Sequence, residues 1–140
     1  MPKSLKDIRG SCLCGEITFQ LKGSARVFHL CHCSRCRKST GSAHASNIFT
    51  EPENIEWLTG MELIKRYQIP EAKSFSKQFC SNCGSLVPYV NRAGSSLIIP
   101  AGCLHTAISF VPDDNIFWDS RAEWYEQGSR TAKYPAYPED

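Results

Sequence analysis

The sequence predicts a mainly β fold of short strands, an all-β sandwich or open barrel, with helix confined to a turn or two. Three observations lead there. Short runs of alternating apolar and polar residues recur along the chain; clusters of Gly, Pro, Asn and Asp separate them; and no segment sustains the 3.6-residue apolar period of a long helix. A length of 140 residues fits one domain able to bury a core of its own, expected at about residues 4–125 with an extended tail at about 130–140.

In Glu16 to Leu21, the apolar side chains of Ile17, Phe19 and Leu21 share one face and Glu16, Thr18 and Gln20 the other, as in a half-buried strand. Further strands are expected at Val27 to Leu30, Asn47 to Thr50, Ile55 to Leu58, Leu63 to Gln68, Phe75 to Phe79, Leu86 to Val90, Leu97 to Ile99, Ile108 to Val111 and Ile116 to Trp118. Turn chemistry divides them at Lys22-Gly23-Ser24, Glu51-Pro52-Glu53-Asn54, Thr59-Gly60, Asn91-Arg92-Ala93-Gly94 and Pro112-Asp113-Asp114-Asn115. One helical turn is expected from Arg35 to Thr40, capped by Ser34 and stopped by Gly41, which places Cys33 and Cys36 on the same side. The tail from Thr131 to Asp140 carries two prolines and no alternation.

Composition excludes more than it selects. A formal net charge of +2 is too small to imply a nucleic-acid or membrane surface. The stretch after Lys3 and Lys6 has no apolar run resembling a secretory signal, and nothing approaches the ~20 apolar residues of a membrane span, so the expected location is the cytoplasm. Phosphate loops, dinucleotide fingerprints, serine elbows and zincin helices have no matching motif.

The chemistry is carried by cysteine. Seven of eight fall in three clusters: Cys12-Leu13-Cys14, Cys31-His32-Cys33-Ser34-Arg35-Cys36 and Cys80-Ser81-Asn82-Cys83. A disulfide framework is the alternative, but a reducing compartment and adjacent C-x-C pairs favour metal. Cys12-Cys14 and Cys80-Cys83 are each followed at once by glycine, as in a metal knuckle, and together supply the four sulfurs of a closed tetrahedral zinc shell. Cys31, Cys33 and Cys36 supply three and leave one position open, the usual arrangement of a catalytic zinc. Arg35, Arg37 and Lys38 bring positive charge beside that open position and are candidate substrate-binding residues. His32 could close the site as a fourth ligand, although in an extended segment its ring points away from its neighbours. Cys103 stands alone and reads as a small buried hydrophobe.

Gly10-Ser11-Cys12-Leu13-Cys14-Gly15, then Cys31-His32-Cys33-Ser34-Arg35-Cys36-Arg37-Lys38 with Gly41, then Phe79-Cys80-Ser81-Asn82-Cys83-Gly84-Ser85, resemble the glutathione-dependent formaldehyde-activating enzyme family, also called the CENP-V/GFA domain. A late Ala101-Gly102-Cys103-Leu104 and an aromatic ending at Trp124 extend the resemblance over roughly residues 4–125, with a departure at Cys103 and His105. The resemblance implies a β-tent of small antiparallel sheets with two zinc sites. Cys12, Cys14, Cys80 and Cys83 match its structural zinc ligands, and Cys31, Cys33 and Cys36 those of its catalytic zinc. It also implies a carbon-sulfur lyase whose small-molecule partners are a thiol such as glutathione and an aldehyde, joined as S-(hydroxymethyl)glutathione. Two other functions fit the residues: a non-catalytic zinc-stabilised interaction module or glutathione or zinc carrier, and a metal-free protein that cycles disulfides through C-x-C-x-x-C.

Overall fold

The computed structural model describes residues 2–138; Met1 and, at the end of the expected tail, Glu139 and Asp140 lie outside the described residues. In chain order the strands are β1 (Lys3–Ser4), β2 (Arg9–Ser11), β3 (Thr18–Leu21), β4 (Ser24–Ala25), β5 (Val27–Cys31), β6 (Ala45–Thr50), β7 (Ile55–Thr59), β8 (Ile64–Gln68), β9 (Ser76–Cys80), β10 (Leu86–Val87), β11 (Tyr89–Val90), β12 (Leu97–Pro100) and β13 (Asp114–Ile116). Two short α-helices join them, α1 (Ser34–Thr40) and α2 (Tyr125–Ser129), with single 3₁₀ turns at Met61–Leu63, Ala101–Cys103 and Trp118–Ser120. The chain is thus mainly β and built from small sheets, as expected. The largest has the order β11-β12-β6-β5-β13; β2-β3-β7 and β10-β9-β8 form three-stranded sheets, and β1-β4 a two-stranded one.

Alternation holds where it was read. Phe19 and Leu21 of β3 point inward, and Ile17 just before it is fully buried. With Leu5, Ile8, Phe28, Ile48, Leu97 and Ile99, the two β3 side chains form the main core. Complete burial of each large apolar side chain there is worth roughly 1.5–3 kcal/mol. Two satellite cores surround sulfur: Ile17 and Val87 pack with Cys12 and Cys80, and Ala45 packs with Cys31 and Cys36.

Several expectations are corrected, each for a local physical reason. The run Leu86 to Val90 is two strands, because Pro88 has no N–H to give a ladder. On one side of it Leu86 pairs with Phe79, on the other Tyr89 pairs with Ile98, so this segment passes from one sheet to another. Ile108 to Val111 forms no strand. Ile108 and Phe110 pack against the core, with Phe110 edge-on to Phe28 at 6.1 Å, so their apolar side chains are buried without a strand ladder. The strand expected at Ile116 to Trp118 runs instead from Asp114 to Ile116, and Phe117, at φ 55°, turns the chain out of it. This strand pairs parallel to β5, Asp114 opposite His29 and Ile116 opposite Cys31, the exception to an antiparallel pattern among the described residues. Parallel pairing needs a long connection, which the residues between the two strands supply. Helix α2 was not anticipated, since five residues are too short to display a 3.6-residue period.

Helix α1 matches its expected span, with Gly41 at φ 65° as the left-handed stop and its N–H on the Arg37 carbonyl at 2.8 Å. Its cap is Cys33 rather than Ser34. Cys33 is extended (φ −67°, ψ 157°) and its sulfur accepts the Cys36 N–H at 3.3 Å, whereas Ser34 already lies inside the helix.

Candidate metal centres

The first cluster is assembled from two turns. Cys12 and Cys14 leave the end of β2, while Cys80 ends β9 and Cys83 lies in the turn beyond it. Gly15 (φ 80°) and Gly84 (φ 78°) close these turns in the left-handed region, their N–H groups bonding back to the carbonyls of Cys12 and Cys80. The four sulfurs lie within 4.8 Å of one another. Tetrahedral zinc bonds of about 2.3 Å place sulfurs about 3.8 Å apart. Here Cys12 to Cys14 is 3.5 Å and Cys14 to Cys80 is 3.9 Å, and all eight cysteines of the chain are free thiols. The donor set therefore fits a metal ion of the zinc type rather than disulfides.

Backbone N–H groups point at the sulfurs: Ile17 at Cys12 (3.3 Å), Asn82 at Cys80 (3.4 Å) and Cys14 at Cys83 (3.4 Å). They partly offset the negative charge that four thiolates impose on a divalent ion. Ser85 ties the two turns together, since its Oγ accepts the Leu13 N–H at 2.9 Å and lies 3.3 Å from the Cys83 sulfur. With the Leu13 N–H occupying a lone pair, the hydroxyl is left to donate to sulfur, and this contact leads in drawing the Cys83 thiol down to about 5. Burial instead pushes the Cys80 thiol up to about 11. In the zinc-loaded protein, Ser85→Ala is expected to move zinc release to higher pH. Losing the donor raises the sulfur's proton affinity, so that as pH falls protons displace the metal sooner, with an affinity loss on the order of tenfold. An unchanged release midpoint in an acid titration with a zinc-sensitive dye would refute this.

The second cluster sits at the junction of β5 and α1. Cys31 ends the strand, Cys33 caps the helix and Cys36 occupies its first turn, with the three sulfurs within 4.8 Å of one another. The close thiols share protons unevenly: Cys31 is drawn down to about 6, chiefly by its hydrogen bond with Cys36, while Cys36 is pushed far up by that same contact and by burial. Such a set is poised to give up protons to a cation.

All three thiols line a cavity of about 550 Å³. Its walls come from distant elements: Asn47 and Phe49 of β6, Tyr89 of β11, Ile98 of β12, and Phe75, Asn91, Ile116, Phe117 and Ser120. Burial, reinforced by the neighbouring sulfurs of Cys36 and Cys31, keeps the Tyr89 phenol protonated well above its ordinary range. Of the three basic residues, Arg35 lines this cavity; Lys38 faces an adjoining hollow that shares Arg35 and Phe75 with it, and Arg37 has its Nε buried without a hydrogen-bond partner among the described residues.

His32 is turned away from the sulfurs, as its place in an extended segment implies. It is fully buried, its Nε2 lies 2.8 Å from the Asn115 Oδ1, and its ring packs among His44, Trp118 and Tyr125 at centroid distances of 5.1, 5.0 and 4.9 Å. Because an amide oxygen only accepts, Nε2 carries the proton and Nδ1 has no hydrogen-bond partner among the described residues. The Cys103 thiol lies outside both clusters and burial pushes it up to about 12, while His105 bonds the Ser11 hydroxyl at 2.7 Å. Sequence reasoning missed Asn47, Tyr89, Asn91 and Phe117. Each is an ordinary residue locally and becomes a wall only when the sheets meet.

No curated protein matches the chain. Among solved structures, a crystal structure of a Rhodobacter sphaeroides protein superposes with a TM-score of 0.55 at 22% identity, covering 74% of this chain and 97% of that one, which supports the fold. The model of the family described as "glutathione-dependent formaldehyde-activating enzyme" matches residues 7–120, a span that holds both cysteine clusters and nearly all of the cavity-forming elements, and the chain belongs to that family.

Proposed function

We propose that the protein is a zinc-dependent carbon-sulfur lyase that forms or cleaves a thiol-aldehyde adduct of the S-(hydroxymethyl)glutathione kind. The observation that carries this reading is the asymmetry of the two cysteine clusters. Every thiol of the three-cysteine set opens on the 550 Å³ cavity, whereas the four-cysteine set is a complete shell fastened between two turns, of which only Cys12 borders a hollow. In this reading Cys12, Cys14, Cys80 and Cys83 hold a structural zinc, and Cys31, Cys33 and Cys36 a catalytic one. Zinc in the three-cysteine site would supply Lewis acidity and hold a substrate sulfur as thiolate.

The chain's own residues supply the rest. In the synthetic direction the S–H bond and the π bond of the aldehyde C=O break, S–C and O–H bonds form, the thiol proton ends on the former carbonyl oxygen, and no oxidant is needed. The protonated Tyr89 phenol on the cavity wall is suited to donate a hydrogen bond to the aldehyde oxygen as charge develops there. Asn47 offers an amide to a peptide-like thiol, while the Asn91 amide is engaged by Ser95 and Ser96 and shapes the wall, and Phe49, Phe75, Ile98 and Ile116 keep the site apolar. Arg35 offers a cation for a carboxylate.

The decisive experiment measures adduct formation from glutathione and formaldehyde against the spontaneous rate, with zinc content determined on the same sample. Acceleration together with saturable glutathione binding supports the lyase. A zinc-loaded protein that neither binds glutathione nor changes the rate would instead be an interaction module. Arg35→Gln is expected to weaken glutathione binding roughly threefold to fivefold, the range of an exposed ion pair, with little change in kcat. That difference should shrink as salt is added, because screening at physiological ionic strength acts over about 8 Å; a loss independent of salt would remove Arg35 from the carboxylate role.

A further inference from the structure

Phe117 combines two features that are each unfavourable for a phenylalanine. Its backbone is left-handed (φ 55°, ψ 40°), a conformation that crowds Cβ against the peptide and that bulky residues rarely adopt. Its side chain is 62% exposed, so the ring gains little from packing in return. The conformation is imposed from both sides. Before it, Ile116 is paired to Cys31 and accepts the His32 N–H at 3.0 Å. After it, the 3₁₀ turn places the Ser120 N–H on the Phe117 carbonyl at 3.0 Å, Arg121 donates to the Trp118 carbonyl at 2.9 Å, and the Trp118 ring packs on buried His32. A glycine would satisfy this backbone without strain. The residue present instead puts an aromatic ring on the wall of the three-cysteine cavity.

Strained backbone that its surroundings hold in place is characteristic of ligand clamps. We propose that Phe117 is a substrate-contact residue whose ring closes over the body of a peptide-like thiol, stacking on its planar amides, while the thiol sulfur is held at Cys31, Cys33 and Cys36. This rests on the lyase reading above and adds to it a specificity element: a thiol with an extended amide-bearing body is preferred over a small one. Phe117 is joined through Ile116 directly to the strand that ends in Cys31, so ring and thiol site are held in fixed relation.

The test compares zinc-loaded wild type with Phe117→Gly, Phe117→Ala and Phe117→Tyr, using glutathione and the two-carbon thiol 2-mercaptoethanol as probes. Phe117→Gly is expected to weaken glutathione binding at least tenfold while leaving 2-mercaptoethanol binding within twofold. Its zinc content should be unchanged and its melting temperature no lower than wild type, since glycine relieves the left-handed strain. Phe117→Ala, which keeps the strain without the ring, should lose glutathione equally and melt below Phe117→Gly. Phe117→Tyr, which keeps the planar ring, should bind glutathione within threefold of wild type. If Phe117→Gly binds glutathione as wild type does, the inference fails while the lyase reading stands. If it loses zinc, or loses both thiols alike, Phe117 is a structural residue. If wild type binds neither thiol, the lyase reading fails and takes this inference with it.

Discussion

Replacing Cys80 with alanine is expected to unfold the protein. Cys80 is fully buried at the end of β9, packed with Cys12, Ile17 and Val87, and its sulfur lies 3.9 Å from that of Cys14. Structural zinc in a four-thiolate shell contributes apparent binding free energies of about 10–16 kcal/mol, against a typical whole-domain stability of about 5–15 kcal/mol. Losing one of four ligands therefore removes an amount comparable with the entire margin. The two turns that hold the shell belong to different sheets, β2-β3-β7 and β10-β9-β8, so the connection lost is one between sheets rather than within one. Circular dichroism melts and zinc analysis check this: Cys80→Ala should contain at most one zinc and show no cooperative transition near that of wild type. A variant that keeps both its zinc stoichiometry and its melting temperature would show that this cluster does not hold the fold together.

The second large effect is expected at Cys33, with the opposite pattern of stable fold and lost chemistry. Because the Cys33 sulfur also caps α1, alanine there would remove a helix cap as well as a ligand, at about 1 kcal/mol for the cap. Serine separates the two roles. Its hydroxyl can accept the Cys36 N–H as the sulfur does, while being a much poorer zinc donor than a thiolate. Cys33→Ser should keep the zinc of the four-cysteine shell and a near-native melt, yet lose thiol binding and return adduct formation to the spontaneous rate. Cys33→Ala should behave alike but melt slightly lower. Collapse of both variants would mean that the three-cysteine site is itself part of the scaffold; retained activity in Cys33→Ser would exclude Cys33 from the reaction.

The two cysteine clusters, each able to hold a metal ion, were legible in sequence because their geometry is local. One or two residues between cysteines bring sulfurs within reach of one ion, and glycine after Cys14 and Cys83 permits the left-handed turns observed at Gly15 and Gly84. The inward face of β3 was legible for a similar reason, since a strand's two faces follow from alternation alone. The orientation of His32 followed from the same rule, its ring lying opposite the sulfurs on either side of it.

What alternation could not convey was which strands would be partners. Ile108 and Phe110 have a strand's pattern but pack on the core outside any strand, Pro88 divides one apolar run between two sheets, and β13 joins β5 in parallel across more than half the chain. The cavity depends on those pairings: Asn47, Tyr89, Asn91 and Phe117 stand far apart in sequence and meet only because β5, β6, β11, β12 and β13 share one sheet. The amino-acid sequence by itself determined the two cysteine sets, through spacing and backbone permission within a few residues. Only the tertiary structure decided that all three thiols of the second set face one cavity and what lines it, because long-range register, not local propensity, brings those walls together.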